Sequence, residues 1–333
     1  MSSDVRLEVP PFSKGGLGGI EDIMKKNLFP VFAIAAATAL VLIFSAREAS
    51  SVGKGKYKVV AVIAHDEVMG RLKEPSGVFY DASKERLYVA DTGNNRLVSF
   101  DKEFSYLSEL TDEGFSLPVT VLKTEEGDFL VLDAKEGVIK VIDMKQKKVS
   151  LFDIKGVPVA KEKFIPGRFT SDESGNIYVI DRLNRRIVVV KKDGSFDKVI
   201  APSSPASFYG FNDVKAGGGS VYGLDTVSSM VYVFDAKGSV VSKFGVSIDP
   251  STSSSGGLSF PISLAASGGF IYVLYRHSGE IGVFDGRGAL QYVLSDKGFK
   301  EGELYTPSYI SISADGLIYV VDGGRVQVFR EVE

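Results

Sequence analysis

Cysteine is absent from the 333-residue chain, and histidine occurs only twice, as His65 and His277. No disulfide, thiolate metal site or covalently attached haem can therefore form. Two histidines exclude a three-histidine zinc centre and leave only a mixed His/carboxylate set in which both would have to converge. The absence of cysteine does not name a compartment, because a large core needs no disulfides. There is also no excess of positive charge. The net charge is −3 and the sequence pI about 5.7, which gives no global basic field for nucleic acid. No Walker loop, nucleophile elbow or HExxH motif is present. Glycine, in contrast, is abundant at 36 residues, and Val, Ile, Phe and Tyr recur in short runs. That combination points to many strands joined by tight turns.

One stretch differs from the rest. "LFPVFAIAAATALVLIFSA", Leu28 to Ala46, carries no charge and approaches the roughly 20 apolar residues that span a bilayer as a helix. Pro30 falls in its first turn, where a missing N–H matters least. The run is long for the h-region of a cleaved signal peptide, and no good small-x-small cleavage site follows it. The expectation is a single uncleaved transmembrane signal anchor over 28–46. Before it lies a short flexible cytoplasmic tail, 1–27, and after it a linker, 47–55. Lys25 and Lys26 abut the inner end, so the remaining chain is expected to be exported, periplasmic or otherwise extracytoplasmic. The positive charges beyond Ala46 nearly balance the pair, and long domains cross largely regardless of charge.

From residue 56 to 333 the chain repeats. "YVADTGNNRLVSF", Tyr88 to Phe100, is echoed by "FLVLDAKEGVIKVID" from Phe129 and "IYVIDRLNRRIVVVKKDG" from Ile177. "VYGLDTVSSMVYVFDAKG" from Val221, "IYVLYRHSGEIGVFDGRG" from Ile271 and "IYVVDGGRVQVF" from Ile318 complete the series. The spacing is roughly 40–50 residues, the range of propeller blades. Pro75, Pro118, Pro166, Pro261 and Pro307 each introduce another strand upstream, and Phe211 holds that register in the fourth copy. Each copy reads as strands a, b, c and a weaker d, which is a four-stranded antiparallel blade. The last copy stops after strand c. "KYKVVAVIA", Lys56 to Ala64, precedes any a–b–c set and is the missing outer strand. The expected fold is an all-β, six-bladed β-propeller whose ring is closed by its N-terminal strand.

The pattern resembles the NHL-repeat family of six-bladed propellers. The residues that carry the likeness are Pro75-Ser76-Gly77-Val78, Leu87-Tyr88-Val89-Ala90-Asp91, Gly93-Asn94-Asn95-Arg96 and Phe100-Asp101. It covers about Lys56 to Glu333. The resemblance implies a docking or sensing module in most cases. Some relatives of the fold are lyases or hydrolases that rely on metal ligands inside the channel.

Asp91, Asp133, Asp181, Asp225 and Asp322 share one position, and Tyr275 replaces the sixth. A residue repeated in equivalent places performs a per-blade task, here acceptance of N–H bonds from the b–c loop. Antiparallel order places the d–a and b–c loops on one rim, the top, and the a–b and c–d loops on the other, the bottom. Arg96, Arg182, Arg185, Arg186 and Arg325 recur among the b–c loops, with Tyr275 and His277 in blade five. They are candidate contacts for an anionic partner, or else solvated and Asp-paired side chains. Phe208, Tyr209 and Phe211 are either core or an exposed aromatic contact. The varied positions of strand a, Gly77, Thr120, Arg168, Asp213, Ser263 and Tyr309, are expected to face the channel near the top. Arg168, Asp213 and Tyr309 then form a channel mouth, as a salt bridge or a polar ligand site.

No catalytic residue, metal ligand or cofactor is assigned from the sequence. The leading expectation is a membrane-anchored, exported propeller acting as a binding scaffold for a protein or a cell-envelope polymer. A metal-dependent propeller hydrolase or lyase is the alternative, and an extracytoplasmic sensor module the second.

Overall fold

The computed structural model describes residues 53–111, 114, 116–146, 148–203, 207–248 and 260–332. The expected tail, the apolar run Leu28–Ala46, residues 47–52 and most of the long loop between Ser247 and Phe260 lie outside these residues. Among the described residues no helix is long and apolar enough to cross a membrane.

Six four-stranded antiparallel sheets follow one another along the chain. In the first blade strands a to d are Gly77–Asp81, Arg86–Asp91, Arg96–Phe100 and Tyr106–Thr111. The inner strands of blades two to six are Pro118–Lys123, Pro166–Ser171, Asp213–Gly217, Pro261–Ser267 and Pro307–Ile312. Tyr57–Ile63 pairs antiparallel with Arg325–Glu331, Val59 facing Phe329 and Ile63 facing Val326, and is the outer strand of blade six. Gly53–Lys54, at the end of the expected linker, instead adds a parallel fifth strand to the outer edge of blade five, with Lys54 opposite Val293.

Strand b is apolar on both faces because each blade is sandwiched between two others. Ile177–Asp181 is buried at every position. The core is accordingly divided into six apolar clusters, one at each blade-to-blade interface. The cluster that joins the last blade to the first holds Tyr319, Val321 and Val328 against Leu87, Val89 and Phe100. A fully buried side chain of this size contributes about 1.5–3 kcal/mol.

The missing proline of blade four has a structural counterpart. Where the other blades carry Val two residues before the ring position, blade four carries Gly223. A Cβ there would meet the Phe211 ring at 2.4–2.5 Å. Phe211 thus fills the space the valine vacates, and both Phe208 and Phe211 are core while Tyr209 between them is exposed.

Candidate functional site

The ring aspartates are buried, at 0–2% exposure, and each carboxylate accepts local hydrogen bonds, Asp181 through Oδ2 alone. Asp91 accepts from Lys73 N at 2.7 Å, Asn94 Nδ2 at 2.8 Å and Arg96 Nε at 2.7 Å. Asp133 accepts from Ser116 N and Lys140 Nζ, Asp225 from Tyr209 N, and Asp322 from Tyr305 N and Thr306 N. The donors thus come from both loops: backbone amides of the incoming d–a loop on Asp91, Asp133, Asp225 and Asp322, and b–c loop or strand-c groups such as Glu136 N, Val227 N, Asn184 Nδ2 and Arg186 Nε. The carboxylate is a rivet between two loops of the top rim. Four residues beyond it, Asn95, Arg185 and Ser229 adopt the left-handed conformation (φ 51–53°), and Gly137 and Gly279 do the same at φ 67°. This reversal returns the chain into strand c.

Tyr275, expected on the rim, is wholly buried at 0% exposure, and its hydroxyl donates to the Val246 carbonyl of the incoming loop. It performs the aspartate's task with donor and acceptor exchanged, which removes it from any contact surface. Burial pushes its hydroxyl pKa well above the ordinary tyrosine value.

Arg96, Arg186 and Arg325 are latches as well. Arg96 bridges Asp91 and Glu109 (2.7 and 2.5 Å). Arg186 binds Asp181 and the Pro158 carbonyl. Arg325 binds Asp322 and the carbonyls of Phe299 and Glu303. Their guanidinium groups are engaged with the propeller itself. Arg182, Arg185 and His277 remain exposed on the top rim. Asp91→Ala should therefore cost about 1–3 kcal/mol, because the Lys73 amide and the Arg96 guanidinium lose their acceptor. A urea titration reads this directly, and an unchanged midpoint would remove the structural role.

The channel-mouth residues do meet, but to fasten blades together. Arg168, 20% exposed, reaches across the axis from blade three. It donates to the Ile262 carbonyl (3.0 Å) of blade five and the Ser308 carbonyl (2.7 Å) of blade six. Its Nη1 lies 3.6 Å from Asp213 Oδ2. Asp213, at 1% exposure, also accepts from Ser263 Oγ (2.5 Å), Leu264 N (3.0 Å) and Val214 N (3.0 Å). The Tyr309 ring packs 5.1 Å from the Arg168 guanidinium carbon. The polar groups assigned to a ligand are satisfied by one another and by backbone. Below them, a cavity of about 580 Å³ touches all six blades. Its lining includes Lys215 and Tyr80 from the inner strands, Glu173 from an a–b turn, and Tyr222 and Phe270 from the starts of strands b. Lys215 donates to Tyr309 Oη at 2.7 Å and lies 4.4 Å from that ring's centre.

Sequence reasoning stopped at Asp213 and missed Lys215. The signal was present, since Lys215 follows two residues later on the same strand and so on the same face. Among the described residues no group of three or more His, Asp and Glu side chains is placed to hold a metal ion.

No protein-family model matches this chain, and no curated protein matches its sequence. Solved structures do. A streptogramin B lyase superposes with a TM-score of 0.60 at 11% identity, over 83% of this chain and 98% of that one. Virginiamycin B lyase from Staphylococcus aureus gives 0.60 at 11%, over 83% and 100%. A protein described as a putative gluconolactonase gives 0.57 at 12%, over 85% and 96%. The chain has the six-bladed propeller fold. At these identities the likeness extends to the fold alone, and the activities in those names belong to those proteins.

Proposed function

We propose that this chain is an NHL-like docking propeller, exported and held at a membrane by residues 28–46, that recruits a protein through its top rim. In this reading Tyr57–Ile63 is the clasp of the ring. The observation that supports docking is an exposed aromatic patch on blades five and six. Phe299, 70% exposed, stacks on Tyr305, 43% exposed, with ring centres 3.9 Å apart. Phe260 stacks on His277 at 5.2 Å. Lys297 links the two pairs, donating to the His277 carbonyl at 2.7 Å and standing 5.7 Å from the Tyr305 ring. Stacked aromatic rings with a cation beside them supply large contact area at little conformational cost.

The distribution of apolar surface agrees. Val68, Leu117, Leu183, Tyr209 and Val227 are further exposed apolar side chains on top-rim loops. On the bottom loops the described exposed one is Met144, and Phe270 opens a strand b next to an a–b turn. Arg182, Arg185, Arg276 and Lys297 stand among the top-rim residues, so the partner surface is apolar with acidic groups at its edge. The test is quantitative capture of a crosslinked partner from the native membrane by the full chain. Phe299→Ala with Tyr305→Ala should weaken capture about 30-fold, the scale of a lost hot spot. Met144→Ala should leave it unchanged. Equal loss in both, or full capture by the double variant at unchanged melting temperature, would place the partner elsewhere.

A further inference from the structure

The axial cavity lies below the rivets and latches, and no part of the top-rim reading uses it. Its chemistry is uneven in charge. The axial cluster holds two cations, Arg168 and Lys215, against one carboxylate, Asp213. Arg168 is the one within ion-pair distance of Asp213. Lys215 has a neutral partner, the Tyr309 hydroxyl, and no carboxylate lies within 4 Å of its ammonium among the described residues. Burial pulls the Lys215 pKa down, but the nearby Asp213 charge and the Tyr309 hydroxyl outweigh it and hold the group above its ordinary value. Lys215 is thus a charged ammonium at the floor of a cavity with donors to spare, since an ammonium carries three. Asp213 is shared between two cations, so the cluster keeps a net positive charge that a further anion would offset.

The walls add the second half of the pattern. Ser171, Ser267 and Ser311 line the cavity together with Tyr222. Their hydroxyls make no hydrogen bond to the protein among the described residues, whereas Ser263 of the upper channel is used internally. The aromatic face of Phe270 lies at the same opening. Hydroxyl-rich walls with an aromatic face suit a small polyhydroxylated molecule, and about 580 Å³ is within the range of small-molecule sites. The rim limits its charge. Glu173, exposed at the mouth, is held in place by the Gly218 amide at 2.9 Å, so a second negative charge on the ligand would face a carboxylate.

We propose that the axial cavity is a binding site, opening on the a–b rim, for a small hydroxylated monocarboxylate whose carboxylate pairs with Lys215. The wall hydroxyls bind the ligand's hydroxyls, and Glu173 selects against dianions. The site is independent of the docking surface on the opposite rim.

Three probes of similar size and different charge test this on the full chain by titration calorimetry: D-glucuronate, D-glucose and D-glucose 6-phosphate. Glucuronate should bind saturably and at least about tenfold tighter than glucose, as a charge-assisted contact requires. Lys215→Met should abolish that preference, and Lys215→Arg should retain it. In the wild-type chain glucuronate should shift the NMR resonances of Lys215 and Tyr309, a readout that needs no variant to fold. Absence of saturable glucuronate binding, or shifts confined to other residues, would overturn the site. A preference that survives in Lys215→Met would overturn the role of the ammonium, and tighter binding of the phosphate would overturn the carboxylate assignment.

Discussion

A chain shortened to begin at Ala64 should aggregate, whereas one beginning at Gly53 should remain a soluble monomer. Tyr57–Ile63 covers the outer edge of Arg325–Glu331, pairing along its length from Tyr57 opposite Glu331 to Ile63 opposite Val326. Removing it leaves Val326, Gln327, Val328 and Phe329 on an open edge, a row of unpaired N–H and C=O groups flanked by apolar side chains. The same deletion takes Ile63 and Ala61 out of the cluster that joins blade six to blade one. Edge and interface fail together, so the effect should exceed that of any single substitution. Light scattering after size-exclusion chromatography decides it. A stable monomer from the shorter chain would show that packing of the inner strands suffices to hold the ring.

Asp213→Ala should destabilise the propeller by about 3–5 kcal/mol, the scale of breaking a buried pair from one side. The carboxylate is the one negative charge of the axial cluster, and it also receives Ser263 Oγ and the amides of Leu264 and Val214. Its loss would leave the Arg168 guanidinium without its counter-ion and those donors without an acceptor. Arg168→Met and Lys215→Met combined with Asp213→Leu should cost much less, because no charge of the axial cluster then remains to be compensated. Urea unfolding of the three chains gives the comparison. A single-variant loss below about 1 kcal/mol would mean that water or backbone replaces the carboxylate.

The parts of the fold that were legible in the sequence are those that repeat. The b-strand aspartates, the strand-a prolines and the reversal after Asp91 recur because each blade solves the same local problem with the same residues. The pairing of the N-terminal strand with the last blade was legible for a related reason, as the final repeat lacks a strand and the first segment has one to spare. Departures from the repeat were visible but not interpretable. Tyr275 stood out as the exception to the aspartates, and only its contact with the Val246 carbonyl shows that it keeps their role. Phe211 stood out as the exception to the prolines, and only its packing over Gly223 explains it.

The arginines show the limit most plainly. Arg96, Arg182, Arg185 and Arg325 look alike on a sequence rim, yet two are latched to ring aspartates and two are exposed. The difference depends on register, since the latched ones open strand c beside the aspartate.

By itself the sequence determined the blade count, the four-strand order and the loops that share a rim, because periodicity of apolar residues and turn chemistry act over a few neighbouring positions. Only the tertiary structure decided what meets on the axis. Arg168 binds carbonyls 94 and 140 residues away in sequence, and Lys215 meets a tyrosine 94 residues away. Such contacts have no local signature. They exist because the propeller brings six inner strands to one line, where Lys215, bonded to Tyr309, faces a shared cavity.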